Sequence, residues 1–301
     1  MRSSIPLEGI LVALVTPLTS DGSQIDEDLL HAHIDRLARA GVHGIVAAGS
    51  TGEFTTLTLS ERKRLAELCV EYSAGRISVT IGTGSNSTAE AVELTKHAHD
   101  IGADAVMVVP PFYEPMTPAE LHRYLKAVAE SADIPIVYYN IPGASGVNLT
   151  PAELAELAQV AGIKYLKDTS GDAVALGALL EAHKATVTAF NGWDTLSFFG
   201  LASGAKGAVW GAVNFIPELA MDLWNTVSVR GDLKGGRDLW SRIWPICAFL
   251  EAHNYVASVK TALDLVGHTA GPTRQPILTL PDADRAELKS LLDAAGVSTI
   301  A

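Results

Sequence analysis

Along most of the chain a short apolar run leads into a polar or glycine-bounded turn, the turn leads into a longer amphipathic stretch, and the pattern repeats. The apolar runs are too short for ordinary helices and read as strands. The longer stretches carry apolar residues three and four apart, the spacing of a helix with one buried face. The first strand is predicted at 12–15, closed by Thr16-Pro17. Asp26 caps a helix through Ala40, with Leu29, Leu30, Ile34, Leu37 and Ala38 on one side. Further strands are predicted at 44–48, 77–81, 105–109, 135–139, 160–166, 186–190 and 207–210. The helices between them run from a cap at Ser60 to about Ser73, then over 88–101, 118–131, 151–159 and 172–183, with a short one before the last strand. Apolar strands alternating with amphipathic helices imply a parallel sheet covered on both faces. Eight such units favour a closed barrel over an open doubly wound sheet. After Asn214 the pattern changes to helices alone, at 217–229, 233–250, 255–266 and 283–295. The predicted fold class is therefore α/β: a (β/α)8 TIM barrel over residues 1–214, with a C-terminal helical extension over 215–301 packed on the barrel.

Composition narrows the partners. The 301 residues are 48% hydrophobic and 19% charged, enough for a large core, and the formal net charge is −12. That balance argues against nucleic acid, whose phosphates need basic patches. No run of Lys and Arg suits an anionic membrane surface, and no apolar stretch approaches the roughly 20 residues of a membrane span. Residues 1–9 lack the apolar core of a secretory signal. Cys69 and Cys247 fall in separate predicted helices, which suggests buried thiols in a reducing cytoplasm, not a disulfide. His31 and His33, like His97 and His99, are two apart on helices and do not share a face. They read as surface residues, and neither a metal nor a cofactor is expected.

In a barrel, chemistry gathers just past the C-terminal ends of the strands. The polar residues there are Thr16, Ser50 and Thr51, Tyr113, Tyr139, Lys167 with Thr169, and Asn191 with Asp194. In the stretch 163–171, strand alternation puts Ile163, Tyr165 and Lys167 on one face. If that face points inward, Lys167 ends an apolar strand with its amine in a partly dry pocket. Burial disfavours an ammonium, and a neutral amine condenses with a ketone to form a Schiff base. Singly, each residue has a blander reading. A lysine is ordinarily a solvated surface residue, a Ser-Thr pair ordinary turn chemistry, and a strand-end tyrosine ordinary packing. What sets these apart is their convergence: hydroxyls on the second, fourth and fifth loops and a lysine on the sixth.

That constellation resembles the dihydrodipicolinate synthase/N-acetylneuraminate lyase superfamily of pyruvate-dependent class I aldolases, over nearly the whole chain. Gly49-Ser50-Thr51-Gly52-Glu53 looks like its substrate-carboxylate loop, and Pro110-Pro111-Phe112-Tyr113 like the segment that lends a tyrosine to a neighbouring subunit. Tyr139-Asn140-Ile141-Pro142 is similar to the segment holding the acid/base tyrosine. Leu166-Lys167-Asp168-Thr169-Ser170-Gly171-Asp172 is similar to the Schiff-base lysine segment. The resemblance implies that Lys167 forms the iminium, that Tyr139 moves the proton of the 4-hydroxyl, and that Tyr113 and Thr51 extend the relay. It also implies that Ser50 and Thr51 hold the carboxylate, and that Thr169, Gly192 and Val209 line the substrate. Pyruvate and an aldehyde or 2-oxo acid are the expected partners, and a cytoplasmic homotetramer built as a dimer of dimers is the expected assembly.

The branch is set by fewer residues. The lysine-pathway synthase carries an arginine two positions after the motif proline; here that position is Ala144, which offers a second carboxylate no cation. The segments around Tyr139 and Lys167 look closer to the neuraminate lyase branch. Yet its Asp-Glu pair is Asp194-Thr195 here, a serine aligns with Gly211, and a small neighbour aligns with Trp210. An indole in place of polar groups argues against a long polyol tail. The expectation is reversible cleavage of a shorter or more apolar 4-hydroxy-2-oxo acid to pyruvate and an aldehyde, with a 2-keto-3-deoxy sugar acid as one candidate and an aryl or alkyl aldehyde product as another. The alternatives are a dehydratase or hydratase working through the same iminium, N-acetylneuraminate lyase or dihydrodipicolinate synthase itself, and a catalytically silent binding barrel.

Overall fold

The computed structural model describes residues 7–160 and 162–300. Most of the segment read above for a secretory signal, and Ala161 of the predicted sixth strand, lie outside the described residues. Eight parallel strands close into a barrel in chain order: β1 (Gly9–Ala13), β2 (Gly44–Ala47), β3 (Ser78–Gly82), β4 (Ala105–Val108), β5 (Ile136–Asn140), β6 (Ile163–Asp168), β7 (Thr188–Asn191) and β8 (Gly207–Trp210). Closure comes from β1 pairing with β8 on one side and β2 on the other. Pairing, not the apolar run, sets the strand ends. β1 starts at Gly9 because Gly9 pairs with Gly207, and Leu14 and Val15 lie beyond it.

Helices cover the outside: α1 (Glu27–Arg39), α2 (Leu59–Ser73), α3 (Thr88–Asp100), α4 (Pro118–Ala129), the single turn α5 (Pro142–Ser145), α6 (Pro151–Leu157), α7 (Ala173–Ala182) and α8 (Ser197–Ala202). Asp26 caps α1 as expected. The cap of α2 is Thr58, not Ser60. Thr58 accepts the Glu61 N–H, and the Glu61 carboxylate accepts the Thr58 N–H. The same reciprocal pair opens α4 (Thr117 with Glu120) and α6 (Thr150 with Glu153).

The strands are buried on both faces, so two apolar layers form. Leu11, Ala13, Val46, Met107, Val137, Tyr139, Phe190 and Val209 fill the barrel, while Ile10, Val12, Ile45, Val106, Tyr138 and Trp210 pack outward against helices. The register of β6 shifts against β5: Ile136 pairs with Ile163, but Val137 pairs with Tyr165. Lys164 is the extra residue, and such a bulge breaks strict alternation. Ile163 therefore sits in the outer layer, not on the face shared by Tyr165 and Lys167. His33 also departs from expectation. It is buried, its Nε2 lies 3.0 Å from Oδ1 of Asn214, and burial lowers its pKa to about 3.

After β8, α9 (Pro217–Trp224) packs on β1 and runs into a wider helical turn, Asn225–Val229. Then follow α10 (Leu233–Ala252), α11 (Tyr255–Leu265) and α12 (Asp282–Ala294). α10 packs along α8 and α9, and the α10–α11 junction reaches the C-terminal mouth of the barrel. No helix among the described residues is long and apolar enough to cross a membrane.

Candidate active site

A cavity of about 270 Å3 opens at that mouth. Of the residues singled out in the sequence, it brings together Ser50, Thr51, Tyr139, Lys167, Thr169, Gly192, Asp194, Val209 and Gly211. Tyr139 and Lys167 are register partners on β5 and β6, so their side chains enter the barrel side by side. Lys167 is 5% exposed, and its Nζ lies 4.1 Å from the centroid of the Tyr139 ring. The adjacent carboxylate, Asp168, is turned to the opposite face, where it accepts from Asn140 Nδ2 (2.7 Å) and Ser170 Oγ (3.0 Å). Burial raises its pKa, and these hydrogen bonds oppose the rise. Among the described residues no carboxylate forms an ion pair with Lys167. Gly192 makes the arrangement possible: a Cβ there would overlap the Thr169 hydroxyl and come within 2.7 Å of Lys167 Cε.

The turn after β2 forms one wall. Gly52 N–H donates to the Gly49 carbonyl and Glu53 N–H to the Ser50 carbonyl, which folds the chain back on itself. Thr16 Oγ1 donates to the Gly52 carbonyl at 2.7 Å and ties the turn to the end of β1. None of these bonds uses the N–H of Ser50 or Thr51. Successive N–H groups left free in a tight turn form a nest for an anion.

The opposite wall is acidic. Tyr255 Oη donates to Asp194 Oδ2 at 2.7 Å, and the Ala212 N–H donates to the same oxygen at 3.3 Å. Burial, with the Glu251 charge as a further cause, pushes the Asp194 carboxyl up to about 7 against the pull of these donors. Glu251 is held from the far side, accepting both the N–H and the hydroxyl of Thr195 at 2.8 Å. Gly211 leaves room for the Tyr255 ring, since a Cβ there would overlap its hydroxyl.

Three expected positions lie elsewhere. Trp210 is fully buried in the outer layer, tilted against Trp240 with ring centroids 6.1 Å apart. Alternation along β8 sends Val209 into the cavity and Trp210 out of it, so the indole sets no limit on the substrate tail. Ala144 is exposed on α5 and does not line the cavity. Tyr113 is 83% exposed and does not reach the cavity of its own chain. Sequence reasoning missed Trp193, Ile141, Glu251, Tyr255 and Val256, all of which line it. Trp193 and Ile141 adjoin motif residues and were within reach. Nothing in the local sequence marked the α10–α11 junction as a lid over the mouth.

Comparison with known proteins gives a consistent result. A model of the "Dihydrodipicolinate synthetase family" matches residues 6–295. A 4-hydroxy-tetrahydrodipicolinate synthase of Methanothrix thermoacetophila is 36% identical over 286 residues, spanning 94% of this chain and 95% of that protein. An uncharacterized DapA-like lyase of Halobacterium salinarum is 36% identical over 291 residues, spanning 97% and 95%. Among solved structures, the dihydrodipicolinate synthase of Acinetobacter baumannii complexed with pyruvate superimposes with a TM-score of 0.92 at 32% identity, covering 97% of this chain and 100% of that one. YagE, a prophage protein of the dihydrodipicolinic acid synthase family from E. coli K12, in complex with pyruvate, gives 0.90 at 32% identity, covering 96% and 99%.

Proposed function

Because the chain belongs to the dihydrodipicolinate synthetase family, and so is a pyruvate-dependent carbon–carbon lyase of the class I aldolase type, we propose that it reversibly cleaves a 4-hydroxy-2-oxo acid to pyruvate and an aldehyde with an uncharged tail. One observation carries the substrate class. Among the described residues Lys167 is the only cationic side chain lining the cavity, and the wall beyond it bears Asp194 and Glu251. A second carboxylate would meet two acids and no cation. Hydroxyl groups would find acceptors there, so a 2-keto-3-deoxy sugar acid suits the site.

In this reading the Lys167 amine attacks C2 of the oxo acid, and loss of water leaves an iminium. The carboxylate rests on the N–H groups and hydroxyls of Ser50 and Thr51. Tyr139 takes the proton of the 4-hydroxyl, the C3–C4 bond breaks into the iminium, and the aldehyde leaves an enamine behind. Protonation at C3 and hydrolysis release pyruvate and restore the amine. Thr169 and Val209 flank the lysine side of the cavity. Tyr113, exposed on its own chain, suits a role in completing the relay of a neighbouring subunit in a homotetramer. The free, buried thiols of Cys69 and Cys247 suit a reducing cytoplasm.

The synthase reaction named in several relatives is the second reading, supported by their 34–36% identity. Borohydride reduction in the presence of pyruvate, followed by intact mass, tests the shared chemistry. The wild type should gain one reduced pyruvate adduct and Lys167→Ala none; an adduct surviving that change moves the nucleophile elsewhere. Pyruvate release from a panel of hydroxy-oxo acids then separates cleavage from dehydration, which yields none. Turnover only with pyruvate plus aspartate semialdehyde would establish the synthase reading instead.

A further inference from the structure

The turn that faces the substrate carboxylate is held in an uncommon conformation. It follows Ala48 at φ +54° and ends at Glu53 at φ +56°, both left-handed without being glycine. Backbone of this kind persists only where its surroundings over-determine it. At Glu53 those surroundings come from far along the chain. The Glu53 side chain is 1% exposed, and its carboxylate pairs with Lys260 Nζ at 2.7 Å and accepts the Arg274 N–H at 2.7 Å. Lys260, on α11, is 3% exposed, also donates to the Pro272 carbonyl at 2.7 Å, and does not line the cavity. The Arg274 guanidinium bridges both Glu61 oxygens and the carbonyls of Gly22, Ser23 and Thr56, which straps this segment across the loops below.

We propose that Lys260 is a positioning residue for the lyase reaction: through Glu53 it fixes the turn so that the N–H groups of Ser50 and Thr51 point at the substrate carboxylate. This rests on the reading of Ser50 and Thr51 given above. A fully buried ion pair is a poor stability device, because desolvation offsets much of its attraction. Geometry is what it can supply. The pair joins two elements more than 200 positions apart, at a residue whose N–H helps close the turn. Burial lowers the pKa of Lys260 and the Glu53 carboxylate raises it, so the charge on the lysine depends on the contact that fixes the turn.

The test compares Lys260→Met and Glu53→Gln, singly and combined, with the wild type, with Thr51→Val, and with Leu288→Ala in the core under α12. The readouts are the pyruvate concentration for half-maximal borohydride adduct, KM, kcat and Tm. Each of the first two variants should raise the half-maximal concentration and KM about tenfold to hundredfold, with kcat at saturation within about threefold. The double variant should be no worse than the worse single, because both cut one contact. Leu288→Ala should lower Tm with pyruvate affinity unchanged. If Lys260→Met fails to fold, Glu53→Gln, which keeps its side-chain shape, carries the same expectation. Unchanged affinity in Lys260→Met or Glu53→Gln beside a weakened Thr51→Val overturns the positioning role and leaves the carboxylate reading standing. Unchanged affinity in Lys260→Met, Glu53→Gln and Thr51→Val alike overturns both. An equal loss of affinity in Leu288→Ala at the same fall in Tm overturns the positioning role.

Discussion

The two walls of the cavity are made of different material. The wall after β2 is lined by Ser50 and Thr51, carries no charge of its own toward the cavity, and is fixed from behind by Thr16 and Glu53. The wall after β7 and β8 presents side chains: Asp194 from the end of the barrel, Glu251 and Tyr255 from the extension, with Thr195 and Ala212 holding them. In the proposed reaction the first wall meets the 2-oxo acid end, common to every substrate, and the second meets the variable tail. A constant group suits recognition by main chain, which point mutation leaves in place. A variable group suits side chains, which single replacements can alter without moving the backbone that carries them.

Three substitutions sharpen or break this division. The largest effect is expected at the lysine side. Tyr139→Phe should lower kcat by ~10²–10⁴, the range for a general acid/base group, while borohydride with pyruvate still traps an adduct. Unchanged turnover would take Tyr139 out of the proton path. The next is a stability effect of the acidic wall. The Asp194 carboxyl titrates at about 7 in the fold, against 3.8 for an ordinary aspartate. The folded state thus holds that proton more tightly than the unfolded chain. The stabilisation is complete below pH ~4 and is lost as pH rises through about 7, an effect of up to about 4 kcal/mol. Denaturant unfolding of wild type and Asp194→Asn at pH 5 and pH 8 should show the wild type losing more stability across that window; parallel curves would place the carboxylate in a wetter setting. The smallest is Tyr255→Phe. Losing that donor should cost about tenfold in kcat/KM for the aldehyde, the scale of one hydrogen bond to a charged group. It should also move the ionisation of Asp194 further upward in the pH profile and leave pyruvate trapping as it was. A loss of pyruvate affinity would mean that the walls are not separate.

The same contrast governs what the sequence made legible. Strands, helices and the lysine side of the cavity were written locally: apolar runs marked the barrel, and Ser50, Thr51, Tyr139, Lys167 and Thr169 all fell at strand ends that converge. The tail side was not. Trp210 was misplaced because β8 is four residues long, and a one-residue error in phase exchanges inside for outside. Ile163 was misassigned because the bulge at Lys164 is a matter of pairing with β5, invisible within β6 itself. Glu251, Tyr255 and Val256 belong to helices whose periodicity announced their existence but not where they dock. His33 looked like a surface residue because its partner, Asn214, lies 181 positions away.

Helix α11 begins at Tyr255, in the tail wall, and five residues later carries Lys260, which reaches the turn of the other wall. At about 1.5 Å per residue, a span of roughly 7–8 Å of rigid backbone separates the two attachments. In the proposed reaction the extension works as a gauge block between the two halves of the substrate. Shifting α11 by a single turn would retune both grips in one stroke. In that reading, exchanging one side chain along this rod retunes one grip, whereas grafting a foreign tail would reset recognition of the invariant acid together with that of its partner.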